Sequence, residues 1–137
     1  MARKIGEEFC LDLKRERVFA YSNECSVLVV AAMCEGINLG HKFPSISVET
    51  TRSGLLVVAD GHHRVLAHLS MGLPCKSRYC GEAGDFYFWP IEAVYLGNNN
   101  DMNDRHRLRS ALGYLPRDVT ERFCRENDLD LSDYLSQ

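Results

Sequence analysis

Five consecutive apolar residues, Leu55-Leu56-Val57-Val58-Ala59, run into Asp60-Gly61-His62-His63-Arg64, and a largely apolar stretch over residues 65–71 follows before Gly72. This order constrains the fold more than anything else in the chain. An apolar run of that length predicts a strand covered on both faces. Asp60-Gly61 breaks it, and Gly72 suits the C′ position that closes a short helix. Strand, tight turn and helix in direct succession require a mixed α/β arrangement around a single core.

The flanking segments fit that frame. The polar run Ser22-Asn23-Glu24-Cys25-Ser26 can cap a helix over residues 27–34, stopped near Gly36. The valines there would also suit a strand, but Ala31, Ala32 and Met33 favour a buried helix. Residues 43–48 predict a strand entered through Pro44, residues 50–54 a hairpin turn, and residues 75–80 a third strand after Leu73-Pro74. Residues 9–18 predict a short strand or an irregular lead-in. Residues 86–94 are aromatic and interrupted by Pro90, which predicts an edge strand or a packed loop. Gly97-Asn98-Asn99-Asn100 is the clearest linker. Beyond it, residues 102–112 and 117–127 predict helices, with Pro116 beside the first turn of the second. The expectation is an α/β domain with a mixed sheet over residues 1–97, and a helical C-terminal tail, residues 98–137, packed on the same domain.

The turn after the apolar strand has the chemistry of an anion trap. The first N–H groups of a helix lack partners inside it, and the helix dipole puts partial positive charge there. Gly61 would let a bulky ligand approach the backbone. His62 and His63 would add donors, and Arg64 can grip a phosphate with two parallel bonds. Lys42, in the loop before the strand at 43–48, would reach the same phosphates. A plainer reading stands beside this one: Asp60 caps, Gly61 turns the chain and Arg64 is solvated. Two adjacent histidines directly after an apolar strand favour the anion site.

From the helix ending near Gly36 through Phe43-Pro44-Ser45-Ile46-Ser47-Val48, the apolar strand, Asp60-Gly61-His62-His63-Arg64, the helix to Gly72 and the strand after Pro74, the chain resembles the ParB/sulfiredoxin superfamily. The resemblance spans residues 27–78. Family members carry a G-x-H-R or G-E-R-R type of turn on which nucleotide phosphates rest. By position it implies phosphate contacts from Gly61, His62, His63 and Arg64, a small ParB/sulfiredoxin-like fold, and a nucleotide ligand (ATP, ADP or CTP) with magnesium. Sulfiredoxins place their reactive cysteine directly before the His-Arg pair. His62 stands there in this chain, so sulfiredoxin chemistry is not expected. Partition-type members carry further helix-turn-helix and dimerisation segments, for which the residues after Asn100 leave little room. The family also includes small kinases acting on free serine and proteins called nucleases by similarity.

Phosphoryl transfer needs a carboxylate to orient the attacking oxygen. Glu24, Glu35, Glu49 and Asp60 are the candidates by order along the chain. His41, His62, His63, His68 and Asp60 are conceivable metal ligands, but adjacent helical residues point about 100° apart, and no protein-held metal is expected. The net charge is −3, so a nucleic-acid partner must be met by a local patch. Arg105, His106, Arg107 and Arg109 form the one local basic cluster, with Arg105, Arg107 and Arg109 the nucleic-acid candidates, on a helix whose Met102, Leu108 and Leu112 would face the core. They would meet DNA phosphates or pair with Asp101, Asp104 and the acidic residues 126–133. The aromatic run Phe86-Tyr87-Phe88-Trp89 would stack bases or pack as core.

Six scattered cysteines without a C-x-x-C pair, and a basic N-terminus without a following apolar stretch, predict reduced thiols and a cytoplasmic protein. No apolar run approaches the length of a membrane span. Two function classes therefore stand open. One is a nucleotide-binding domain with phosphotransferase or hydrolase activity. The other is a non-enzymatic module that holds DNA or another polyanion.

Overall fold

The structure, a computed structural model, describes residues 3–84, 87–98 and 102–134. Its main sheet is mixed and six-stranded. The strands are β1 (Glu8–Leu11), β2 (Val18–Ala20), β4 (Ile46–Thr50), β5 (Leu56–Asp60), β6 (Cys75–Glu82) and β7 (Trp89–Pro90), in the order β1-β6-β4-β5-β2-β7. β4 with β6 and β2 with β5 are parallel, and the remaining pairs are antiparallel. A separate two-stranded parallel ladder joins β3 (Glu24–Ser26) to β8 (Tyr95–Gly97). The helices are α1 (Val27–Asn38), α2 (His62–Ser70), α3 (Met102–Leu112) and α4 (Arg117–Glu126). No helix among the described residues is long and apolar enough to cross a membrane.

The apolar helix α1 explains the layering. Val30 packs toward the sheet with Val65, Leu66 and Ala67 of α2 and with Val48 and Val58 of the strands. Val29 and Ala32, on the opposite side, pack with Leu108, Ala111 and Leu112 of α3 and with Phe123 and Cys124 of α4. α1 thus buries Val30 on one side and Val29 and Ala32 on another, and leaves Val27, Ala31 and Cys34 half-buried. The order of layers is therefore sheet, then α1 and α2, then the helical tail. Val57 and Val58 of the inner strand β5 are both fully buried, which accounts for the unbroken apolar run. On β6 burial alternates: Cys75 and Ser77 point in, Lys76 and Arg78 out.

Several expected boundaries shift for identifiable reasons. Gly36 does not end α1. It is buried inside the helix, where a Cβ would come within 3.2 Å of the Phe43 ring. The helix ends two residues later, and Gly40, at φ +87°, closes it with bonds from its own N–H to the Ile37 carbonyl and from the His41 N–H to the Gly36 carbonyl. Gly72 does the same for α2 as expected, through bonds to Leu69 and, from Leu73, to His68. β4 begins at Ile46 rather than at residue 43, because the Pro44 and Ser45 carbonyls are bound by an arginine side chain instead of a neighbouring strand. The sequence Ser22-Asn23-Glu24-Cys25-Ser26, expected only to cap a helix, supplies both that cap and β3. Ser26 Oγ accepts the Val29 N–H at 3.3 Å. Gly97, expected in a linker, closes β8 against Ser26. Asn99, Asn100, Asp101 and Phe86 lie outside the described residues.

Met102 is exposed rather than directed to the core, whereas Leu108 and Leu112 are buried. All six cysteines are free thiols.

Candidate functional site

The turn after β5 opens onto a cleft of about 420 Å3 built from four parts of the chain. Asp60 ends β5. Gly61, His62, His63 and Arg64 form the N-cap and first turn of α2. Ser22, Glu24 and Cys25 form a second wall, with Met33 of α1 behind them. Asp104 and Arg107 of α3 form the third. No side chain caps α2, and its first N–H groups, on residues that line this cleft, have no acceptor within the helix.

Gly61 is required by the backbone. Its φ is +100°, and an added Cβ would lie 2.6 Å from Cγ2 of Ile46 on β4. The glycine therefore lets the turn pass close over the sheet, a reason independent of any ligand. Gly61→Ala is expected to destabilise the fold by roughly 1–3 kcal/mol from the backbone conformation alone, and by more once Ile46 has to move. Chemical denaturation of the two proteins measures this. An unchanged midpoint would mean that the turn relaxes without cost.

The two histidines differ most from expectation. The Tyr21 N–H donates to Nε2 of His62 at 3.2 Å, and the Ser26 N–H donates to Nε2 of His63 at 3.1 Å. An Nε2 that accepts carries no proton, so both rings are neutral and protonated on Nδ1. Burial holds both below the ordinary imidazole pKa. For His63, burial and then the Arg107 charge bring it down to about 4. The rings are thus not cationic phosphate donors. They fasten the start of α2 to the chain at residues 21–26, which forms the opposite wall.

Arg64, expected to grip a phosphate, is committed elsewhere. Its Nη1 donates to the carbonyls of Pro44 at 2.9 Å and Ser45 at 3.0 Å, and its Nη2 to Asp60 at 3.2 Å. Its side chain is only 17% exposed. The residue ties the loop before β4 to the turn after β5. Arg107 behaves differently. Its Nη1 donates to Oδ1 of the largely buried Asp104 at 3.0 Å, and the side chain is half-exposed.

The other candidates separate clearly. Of the carboxylates, Glu24 and Asp60 line the cleft. Glu24 reaches across the ladder to lie against Gly97. Glu35 instead accepts from Arg122 of α4, 3.1 Å to each oxygen, and Glu49 accepts from the Tyr21 hydroxyl at 2.7 Å. Lys42 is exposed and does not line the cleft. Arg105 is exposed, while Nε of Arg109 donates to the Asp133 carbonyl at 2.9 Å, so the basic cluster on α3 is divided between different surroundings.

His41 stacks on Tyr114 with ring centres 4.0 Å apart, away from the cleft. Nδ1 of His68 lies 2.7 Å from the Arg64 carbonyl, and the neighbouring Cys75 thiol is pushed up to about 12 by burial, which leaves it unreactive at neutral pH. Among the described residues, no group of three or more His, Cys, Asp and Glu side chains is placed to hold a metal ion.

The residues that sequence reasoning passed over are Ser22, Cys25, Met33 and Asp104. They join the cleft only through the β3–β8 ladder and the packing of the tail on α1, neither of which has a local sequence signal. Comparison of the chain with family models, curated proteins and solved structures finds no match.

Proposed function

We propose that this protein is a nucleotide-binding domain of the ParB/sulfiredoxin type, which seats a phosphate chain at the start of α2. The observation that carries this reading is an uncapped helix N-terminus opening into a cleft that also holds carboxylates and an arginine. Unpaired N–H groups and the helix dipole favour phosphate oxygens at close range. Glu24 and Asp60 line the same cleft and would be the residues to meet the water shell of a magnesium ion brought by the nucleotide. The same two residues are the candidates to orient an acceptor hydroxyl or water, which makes phosphotransfer or nucleotide hydrolysis the activity to test. The ligand class is ATP, ADP or CTP.

The test is a thermal-shift panel of these nucleotides with and without magnesium, followed by titrations of nucleotide and duplex DNA at about 50 and 200 mM salt, where loss of counterion release is large. Nucleotide binding is expected to persist at the higher salt, since its contacts are short and local. Duplex binding is expected to be weak and to collapse, because the chain's net charge is −3 and, of the basic cluster on α3, Arg109 is engaged by the Asp133 carbonyl. Submicromolar duplex binding at the higher salt, with no nucleotide binding, would make this a DNA-holding module instead.

A further inference from the structure

We propose that Arg107, supplied by the helical tail, is the side chain that grips the phosphate in the α2 cleft, and that Arg64 is a structural tie. This inference rests on the nucleotide reading and says which part of the chain completes its site.

Three observations bear on it. Arg107 lines the same cleft as Gly61, His62 and His63. Its positive charge also acts on both rings: after burial, it adds to the lowering of the His63 pKa and contributes to that of His62. An anion seated at the start of α2 would meet that same charge.

The second observation is the state of its guanidinium. Nη1 is bonded to Asp104, and the side chain is 52% exposed. Among the described residues no acceptor is bonded to its Nε or Nη2. One edge of the planar fork is therefore available for two parallel bonds to a phosphate. Arg64 is far less available: its Nη1 is engaged by two carbonyls, its Nη2 by Asp60, and its side chain is only 17% exposed.

The third is Asp104 itself, a largely buried carboxylate within the first turn of α3. A carboxylate is costly to bury without a partner. Its bond to Arg107, three residues along the helix, fixes the arginine's position before any ligand arrives, which lowers the entropy lost on binding. Asp104 is thus a positioning residue for Arg107.

The experiment is calorimetric titration of inorganic pyrophosphate and of the nucleotide panel into the wild-type chain, Arg107→Ala and Arg107→Lys, with unfolding temperatures measured in parallel. The expected result is wild-type binding, at least tenfold weaker binding by Arg107→Ala at a temperature where it is still folded, its unfolding temperature lowered by the loss of the ion pair to Asp104, and an intermediate affinity for Arg107→Lys, which keeps the charge and loses the fork. Equal affinities for the wild type and both variants would overturn the role of Arg107 while leaving the phosphate site standing. So would a loss of affinity in Arg107→Ala that merely follows a loss of fold while Arg107→Lys binds as the wild type. Failure of the wild type to bind pyrophosphate or any nucleotide would overturn the nucleotide reading and the role of Arg107 with it.

Discussion

Arg64→Ala is expected to lower stability by about 2–3 kcal/mol, the larger of two effects that locate the structural work of the Asp60–Arg64 turn. The guanidinium makes three bonds at once, to the Pro44 and Ser45 carbonyls and to Asp60. Charge-assisted bonds of this kind are worth about 1.5–3 kcal/mol each, but the contacts to Pro44 and Asp60 are exposed and water can replace much of them. The Ser45 carbonyl is partly buried and loses its donor. The loop before β4 would then rely on the Phe43 ring, packed on Gly36, His41 and Tyr114, and on Ile46 at the point where Gly61 crosses the sheet. For a domain of this size the loss corresponds to a fall of about 5–12 °C in unfolding temperature. Arg64→Lys should recover only part of it, since one ammonium cannot reproduce the planar fork. Thermal and urea unfolding of the three proteins reads this directly. Wild-type unfolding by Arg64→Ala would show that the tie contributes nothing, and would make Arg64 a free cation again.

What the sequence reveals about this fold follows from where the physical signals are local. The fully buried strand β5 shows as an apolar run, and α3 and α4 show as periodic segments bounded by Pro116 and polar residues. Gly72 shows as a helix stop because its left-handed conformation is a one-residue property. Gly36 misleads for the complementary reason: its role is to leave room for the Phe43 ring, a contact that no local pattern records. The strands β3 and β8 have three residues each and pair with one another 71 positions apart, so neither carries an alternation long enough to read.

The cleft is legible to the same degree. Gly61 through Arg64 could be found, because strand, turn and helix are contiguous. Their roles could not, because His62, His63 and Arg64 are assigned by partners 19 to 41 positions away. A histidine that accepts a backbone N–H and one that would donate to phosphate have the same sequence. Likewise Glu24 and Glu35 are equal candidates along the chain, and only the packing of α4 on α1 commits Glu35 to Arg122.

The second large effect expected is a loss of stability on acidification that depends on His63. In the folded chain burial, assisted by the Arg107 charge, holds this ring at about 4, against 6.5 for the free side chain, while Asp104 pulls the other way. The unfolded chain therefore binds the proton first. Stability from the neutral ring is complete above about pH 6.5 and is lost as the pH falls through 4, with the folded chain resisting protonation throughout that window. A tenfold change in proton affinity is worth about 1.4 kcal/mol, so His63, discounted for the ring's partial contact with water, contributes on the order of 2 kcal/mol. His62 is shifted in the same direction and adds to the trend. Protonation would also end the bond from the Ser26 N–H, which a protonated Nε2 cannot accept.

Urea denaturation of the wild type and of His63→Gln between pH 7 and 4 separates this ring from the carboxylates, which titrate in both. The wild-type midpoint should fall more steeply than that of the variant. Parallel curves would remove His63 as the cause. Ser26 is also the N-cap of α1 and the last residue of β3, which carries Glu24 and Cys25 into the cleft. Once His63 is protonated, the wall at residues 22–26 loses its tie to the start of α2. Affinity of the folded chain for a nucleotide should therefore decline only as the pH approaches 4, where the folded ring takes its proton.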